Sequence, residues 1–208
     1  MAQNSNSAGT MNRSPRRPEL VLASASPRRA QLMREAGYQF RVVKSTVPEP
    51  SRRPAGVPIR VWPVCLALRK AQNVSARIKS HSIVIGADTI VVHDGRIINK
   101  AVNRRHAEEI LQSLSGTTHE VITGLVLLYG SYCRMESVVS VCRMKKLTTR
   151  QLHAYLDSNL WRGKAGAYGI QDFQHDPFVQ LISGEHTNVM GLPLETLRRE
   201  LAFLSPSL

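Results

Sequence analysis

The stretch SIVIGADTIVVHDGRIINK, residues 82–100, constrains the fold more than any other part of the chain. Two runs rich in β-branched residues flank Asp94-Gly95, and an Asp-Gly pair in that setting favours a tight hairpin whose central residues take positive φ. Antiparallel pairing is therefore written into the middle of the chain. On either side the pattern changes. Residues 19–24 read as a short buried strand; Ser26 then sits at a helix N-cap with Pro27 at the first helical position, and Leu32, Met33 and Ala36 recur at helical spacing until Gly37. Residues 40–43 predict a second strand, and a loop dense in proline and arginine (47–58) leads to a helix that runs through Ala76. Residues 103–116 carry Ala107, Ile110, Leu111 and Leu114 on one helical face. Two longer strands follow near 119–129 and 132–144, and Thr148 caps a helix to about residue 158. A glycine-rich turn, a strand at 178–182 and a helix after Gly191-Leu192-Pro193 complete the pattern. Alternating strands and helices interrupted by hairpins predict an α/β fold on a mixed sheet, not a strictly wound parallel one.

The chain has 208 residues, 42% of them hydrophobic, which is enough for a packed core. The longest apolar run, residues 122–130, is interrupted by glycines and too short to span a bilayer. Residues 1–18 combine Ser, Asn and Arg without an apolar core, so they read as a disordered basic tail, leaving residues 19–208 as a single domain. Twenty-eight Lys+Arg against 15 Asp+Glu give a formal charge of +13, which favours acidic partners. With only 5% aromatic residues, stacking platforms for single-stranded nucleic acid are scarce. Cys65, Cys133 and Cys142 form no C-x-x-C, which argues for a reducing compartment and against a zinc site; each reads as a small buried hydrophobe.

Local chemistry offers several candidates, each with a plain structural alternative. Ser24, Ser26, Arg28 and Arg29 surround a helix start, where unpaired N–H groups, hydroxyls and guanidinium forks can cradle a phosphate. An ordinary N-cap with solvated arginines explains them equally well. Asp88 lies inside a β-branched stretch and needs a partner: a metal ion, a proton to accept, or an arginine. Asp94 is explained by its turn. Glu49, between two prolines, is either aimed inward by a fixed backbone or solvated; Lys70 and Lys100 are either phosphate-neutralising or ordinary surface lysines. There is no G-x-x-x-x-G-K-[ST], no G-x-G-x-x-G after a strand and no H-E-x-x-H.

Taken together, LASASPRR (22–29), Glu49 in its proline loop, LALRKA (66–71), VIGADTIV (84–91), Lys100, LSGTTHEVITG (114–124), KAGAYGIQ (164–171) and TNVMGLPL (187–194) resemble the Maf family of nucleoside triphosphate pyrophosphatases. The resemblance covers about residues 20–205. It implies a fold related to the inosine triphosphate pyrophosphatases: an elongated mixed β-sheet with flanking helices, in two lobes around a cleft. It also implies cleavage of a nucleoside triphosphate to monophosphate and pyrophosphate with a divalent cation, Mg²⁺ or Mn²⁺, in a cytoplasmic homodimer. Position by position, Asp88 matches the proton acceptor, and Glu49 a further acid that aids the metal together with Asp88. Ser24, Arg28, Arg29, Lys70 and Lys100 match positions around the triphosphate.

Three further positions separate the family's subgroups. Arg28, Thr89 and Gln171 are of the kind that acts on dTTP and UTP, not the kind that acts on 7-methyl-GTP. The chain departs from the family pattern at Ala101 for a proline, Gly163 for an acid and Asp172 for a glycine. The rival from a different class is a basic protein that binds nucleotides or nucleic acid without hydrolysis; the joint presence of Asp88, Glu49, Lys70 and Lys100 argues against it.

Overall fold

The computed structural model describes residues 18–50, 52–78, 81–172 and 177–204. The expected tail, apart from Pro18, lies outside them. Seven strands and six helices follow in the order β1 (Glu19–Ala23), α1 (Pro27–Glu35), β2 (Phe40–Val42), α2 (Trp62–Ser75), β3 (Ser82–His93), β4 (Arg96–Ile98), α3 (Arg104–Leu114), β5 (Thr118–Tyr129), β6 (Tyr132–Met144), α4 (Thr149–Asp157), β7 (Val179–Ser183), α5 (His186–Val189) and α6 (Leu194–Leu204). They form one mixed sheet in the order β2-β1-β3-β5-β6-β7, with β4 pairing β3. The first three strands of that order are parallel to one another, and β3, β5, β6 and β7 pair antiparallel. The hairpin between β3 and β4 turns on Asp94 and Gly95, at φ of 48° and 69°.

One edge of β3 changes partner along its length. Residues 82–86 pair with β1, and residues 91–93 pair with β4. Between them, residues 87–90 have a strand neighbour only on the β5 side. The sheet therefore opens at mid-strand, where β1 ends and α1 begins. Open α/β sheets bind ligands at such switch points, beyond the carboxyl end of a strand.

Apolar packing is divided accordingly. On one face Leu20, Leu22, Ile83, Ile85 and Leu125 pack with α1 and α6. On the other, Val21, Val84 and Val126 pack against Ala67, Ala71 and Val74 of α2. A separate cluster at the far end gathers α3, α4, Trp161 and Tyr168. Two packed lobes thus flank the opening in β3. The short helix α5 was not legible as a helix in the sequence, because a single turn carries no period. The cysteine expectation needs correction: Cys142 is buried, but Cys65 is only half-buried and Cys133 is exposed, because β6 turns its odd-numbered residues at that end to solvent.

Helix α2 lies unusually close to the sheet, and Gly124 makes this possible. A Cβ there would collide with the backbone of Pro63 and Val64 at the start of α2. Because Gly124 pairs with Asp88 across the β3–β5 ladder, this approach sets how α2 stands over Asp88. Gly124→Ala is expected to lower stability by about 2–3 kcal/mol, the upper range for overpacking a dense interior, as read by urea unfolding.

Candidate active site

Strand alternation assigns the residues of β3 to two sides of the sheet. Ile83, Ile85 and Ala87 face α1 and α6, whereas Val84, Ile90 and Val92 join the packing on the α2 side. Asp88 belongs to the second set: it is 8% exposed and accepts a short hydrogen bond from Lys70 Nζ of α2. Thr89 belongs to the first. The opening at this point is a cleft of about 1000 Å³ whose walls include Ser24, Arg28, Glu49, Lys70, Asp88 and Lys100.

Lys70 joins the two acids. Its Nζ contacts Asp88 Oδ1 and, at 2.6 Å, Glu49 Oε1. Lys100, mostly exposed, stands 3.8 Å from the other oxygen of Glu49. The hydrogen bond from Lys70 holds the Glu49 carboxyl below its ordinary range against the opposing effect of burial. Both acids thus face the cleft as carboxylates aimed at one cationic point. Among the described residues no group of three or more His, Cys, Asp or Glu is placed to hold a metal by itself. Two hard carboxylates that leave other positions open do suit Mg²⁺, which is commonly bound by one or two carboxylates and completed by water and substrate phosphates. The donor set therefore fits a divalent cation shared with a phosphate-bearing ligand.

The SPRR turn is organised differently from a simple phosphate cradle. Ser26 holds the N-cap position of α1 but makes no side-chain capping bond. Its own N–H donates instead to Ser24 Oγ, at 3.1 Å. Arg28 lines the cleft. Arg29 fills the gap in the β3 edge: Nη1 donates to the Ala87 carbonyl at 2.8 Å and to Ser24 Oγ at 3.3 Å. Its Nη2 donates to Thr89 Oγ1 at 3.0 Å, and Nε to the Gly191 carbonyl at 2.7 Å. A guanidinium has five N–H donors, so these bonds leave one for any ligand. Desolvation lowers the Arg29 pKa, with the charge of Asp88 opposing it. Arg29 thus ties β1, β3 and the α5–α6 connection together, and Thr89 faces this network, 2.9 Å from Thr123 Oγ1, on the opposite side of the sheet from Asp88.

At the other end of the cleft the turn from Gly163 to Asp172 brings Gln171 to the wall, with Lys164 and Tyr168 beside it. Nearly all the sequence-expected positions therefore border one cleft; Thr89 also borders it but spends its hydroxyl on Arg29 and Thr123. Sequence reasoning missed Lys164 as a partner of Asp172, although Asp172 is itself a departure from the family pattern and Lys164 follows another, Gly163. It also missed Asn188, which is wholly buried and donates to the Val121 carbonyl and Ser140 Oγ, bracing α5 on the sheet.

A mixed sheet opened at a switch point, with paired carboxylates and cationic side chains in the opening, is suited to an anionic ligand. Comparison with known proteins makes this particular. The family model described as Maf-like protein matches residues 19–204, and the chain belongs to that family. It is 42% identical over 177 residues to a protein of Alkaliphilus metalliredigens named dTTP/UTP pyrophosphatase, covering 84% of this chain and 90% of the relative. A protein of the same name from Rhodopirellula baltica is 42% identical over 203 residues, covering 88% of this chain and 81% of the relative. Another, from Bacteroides fragilis, is 38% identical over 185 residues, covering 89% and 95%.

Replacing Arg29 by Lys substitutes a single-point cation for a fork and strands at least one buried carbonyl. Arg29→Lys is expected to cost about 2–3 kcal/mol in urea unfolding, the penalty for an unpaired buried polar group, with an unchanged m-value.

Proposed function

We propose that the protein hydrolyses dTTP and UTP to the nucleoside monophosphate and pyrophosphate. The observation that carries this reading is the convergence of Asp88 and Glu49 on Lys70 inside a cleft walled by Arg28 and Lys100. The names of the relatives support the substrate class. In this reading the triphosphate lies along the cationic wall, with Ser24, Arg28, Lys70 and Lys100 around its oxygens and Arg29 contributing its remaining donor.

Asp88 accepts a proton from a water molecule as its oxygen bonds to the α-phosphorus. The bridging bond from the α-phosphorus to the leaving oxygen breaks, and pyrophosphate departs with that electron pair. Asp88 suits this role because it is paired with Lys70 at the cleft wall in a largely dry position. Cationic side chains lower the barrier by neutralising phosphate oxygens as charge redistributes. Glu49 and Asp88 are the residues that would hold Mg²⁺ or Mn²⁺, which when bound supplies electrophilic stabilisation of the phosphate chain. Gln171 offers both a donor and an acceptor to a pyrimidine edge, with Arg28 and Thr89 as the other specificity positions. A homodimer in the cytoplasm that clears unwanted nucleotides completes the reading. No helix among the described residues is long and apolar enough to cross a membrane.

A panel of nucleoside triphosphates with Mg²⁺ or Mn²⁺, with pyrophosphate and orthophosphate measured separately, tests this reading. The expected result is pyrophosphate from dTTP and UTP in preference to purine nucleotides. Orthophosphate as the first product would overturn it, as would preference for 7-methyl-GTP or tight, salt-sensitive nucleic-acid binding without turnover. Asp88→Asn is expected to lower kcat by about 10³-fold, within the usual contribution of a general base, while nucleotide binding survives.

A further inference from the structure

The wall that carries Gln171 contains a buried ion pair that the catalytic reading does not use. Lys164 and Asp172 have side chains 8% and 6% exposed and are paired Nζ to Oδ2. Tyr155 of α4 donates to the same Asp172 oxygen at 2.6 Å. Lys164 borders the cleft, whereas Asp172 stands behind it. The chain between them passes directly over the pair: a Cβ on Gly169 would lie 2.8 Å from Lys164 Nζ and 2.9 Å from both carboxylate oxygens. A side chain there would have to displace the paired ends of Lys164 and Asp172.

The turn has other ties as well: Tyr168 Oη lies 2.6 Å from His119 Nε2, Ala165 bridges to Lys100, and Ala167, Tyr168 and Ile170 are buried in the far-end cluster. Ala167 N donates to the Lys164 carbonyl at 3.2 Å and Asp172 N to the Gly169 carbonyl at 3.0 Å. Ala167 itself has a φ of 57°, a conformation that L residues rarely adopt. An ion pair is a poor device for stability alone, since apolar replacements of similar volume often serve as well or better. Here it does something an apolar pair would not: it ties an ammonium at the wall of a cleft lined by Arg28, whose charge acts on Lys164, to an acid behind that wall. Burial, aided by the charge of Arg28, lowers the Lys164 pKa, and the hydrogen bond and charge of Asp172 oppose that fall.

We propose that Asp172 is a positioning residue for substrate recognition: by pinning the Lys164 ammonium into the cleft wall it fixes the 163–172 turn and thereby aims Gln171. The proposal rests on the reading of this cleft as a nucleotide site. Asp172→Asn leaves Lys164 buried without its counter-charge, and because Lys164 borders the cleft, its ammonium is expected to swing into it beside Gln171. The wall then loses its shape where the base is met, while Asp88, Glu49 and Lys70 are untouched.

Three variants test this in the full-length protein: Asp172→Asn, Tyr155→Phe, and Lys164→Met combined with Asp172→Asn. In Asp172→Asn, KM for dTTP and UTP is expected to rise ~10-fold with kcat changed less than ~3-fold, the signature of lost binding without lost chemistry. Tyr155→Phe keeps both charges and the ring packing, and is expected to move KM in the same direction by ~3-fold. The double variant removes the stray ammonium and is expected to return KM to within ~3-fold of the parent, a coupling that independent sites would not show. A merely structural acid gives the reverse, a double variant at least as impaired as the single one, and that result overturns the proposal.

Amide hydrogen exchange reads the turn without reference to activity. Residues 166–171 are expected to exchange ~10-fold faster in Asp172→Asn while β3 and β5 are unchanged. If Asp172→Asn does not fold, Tyr155→Phe carries both measurements, and parental KM together with parental exchange in that variant would end the proposal. Should the parent protein itself fail to hydrolyse nucleotides, the functional reading fails, and the exchange experiment still decides whether Asp172 holds the turn.

Discussion

The contact between Asp88 and Lys70 is the constraint on which the rest of the molecule turns. A carboxylate at the middle of a strand and only 8% exposed is costly by several kcal/mol unless a counter-charge reaches it. The counter-charge comes from α2, which lies almost on the strands because Gly124, opposite Asp88, and Gly86 carry no side chain to hold it off. Lys70 is thereby brought between Asp88 and Glu49, and three charges from three separate segments share one point. Stability and chemistry are joined here, since the same pairing that makes the acid tolerable also places it at the cleft wall beside Glu49 and Lys70.

The second organising feature is the break in the β3 edge. A strand that exchanges one neighbour for another leaves backbone groups to be satisfied by something other than a ladder. Arg29 takes the Ala87 carbonyl and, with its other nitrogens, draws in Ser24, Thr89 and Gly191. The arginine therefore maintains the opening in the sheet more than it lines it. Its neighbour Arg28 is left for the cleft. Two adjacent residues of identical type thus have unlike tasks, and the division follows from which of them faces the broken ladder.

Local signals in the sequence anticipated most of the fold. The Asp94-Gly95 hairpin, the strands rich in β-branched residues and the Thr148 cap, which forms a full capping box with Gln151, depend on neighbours close in the chain. What sequence could not convey is what depends on distance. The partner exchange along β3 is a property of three strands, and Arg28 and Arg29 differ only through contacts made as many as 162 residues away. The hydroxyl of Ser26 looked like a cap, yet the turn satisfies its backbone through Ser24. Asp172 stood out only as an acid in place of a glycine, and only the fold of the glycine-rich turn shows that it meets Lys164. The site positions were legible as a set through the family resemblance; their arrangement around Lys70 was not.

Hydrolysis in ¹⁸O-labelled water tests most directly whether the carboxylate held by Lys70 delivers water to the innermost phosphorus. With dTTP as substrate, the label is expected in the monophosphate and not in the pyrophosphate. Label in the pyrophosphate would mean attack at the β-phosphorus and would contradict the role assigned to Asp88.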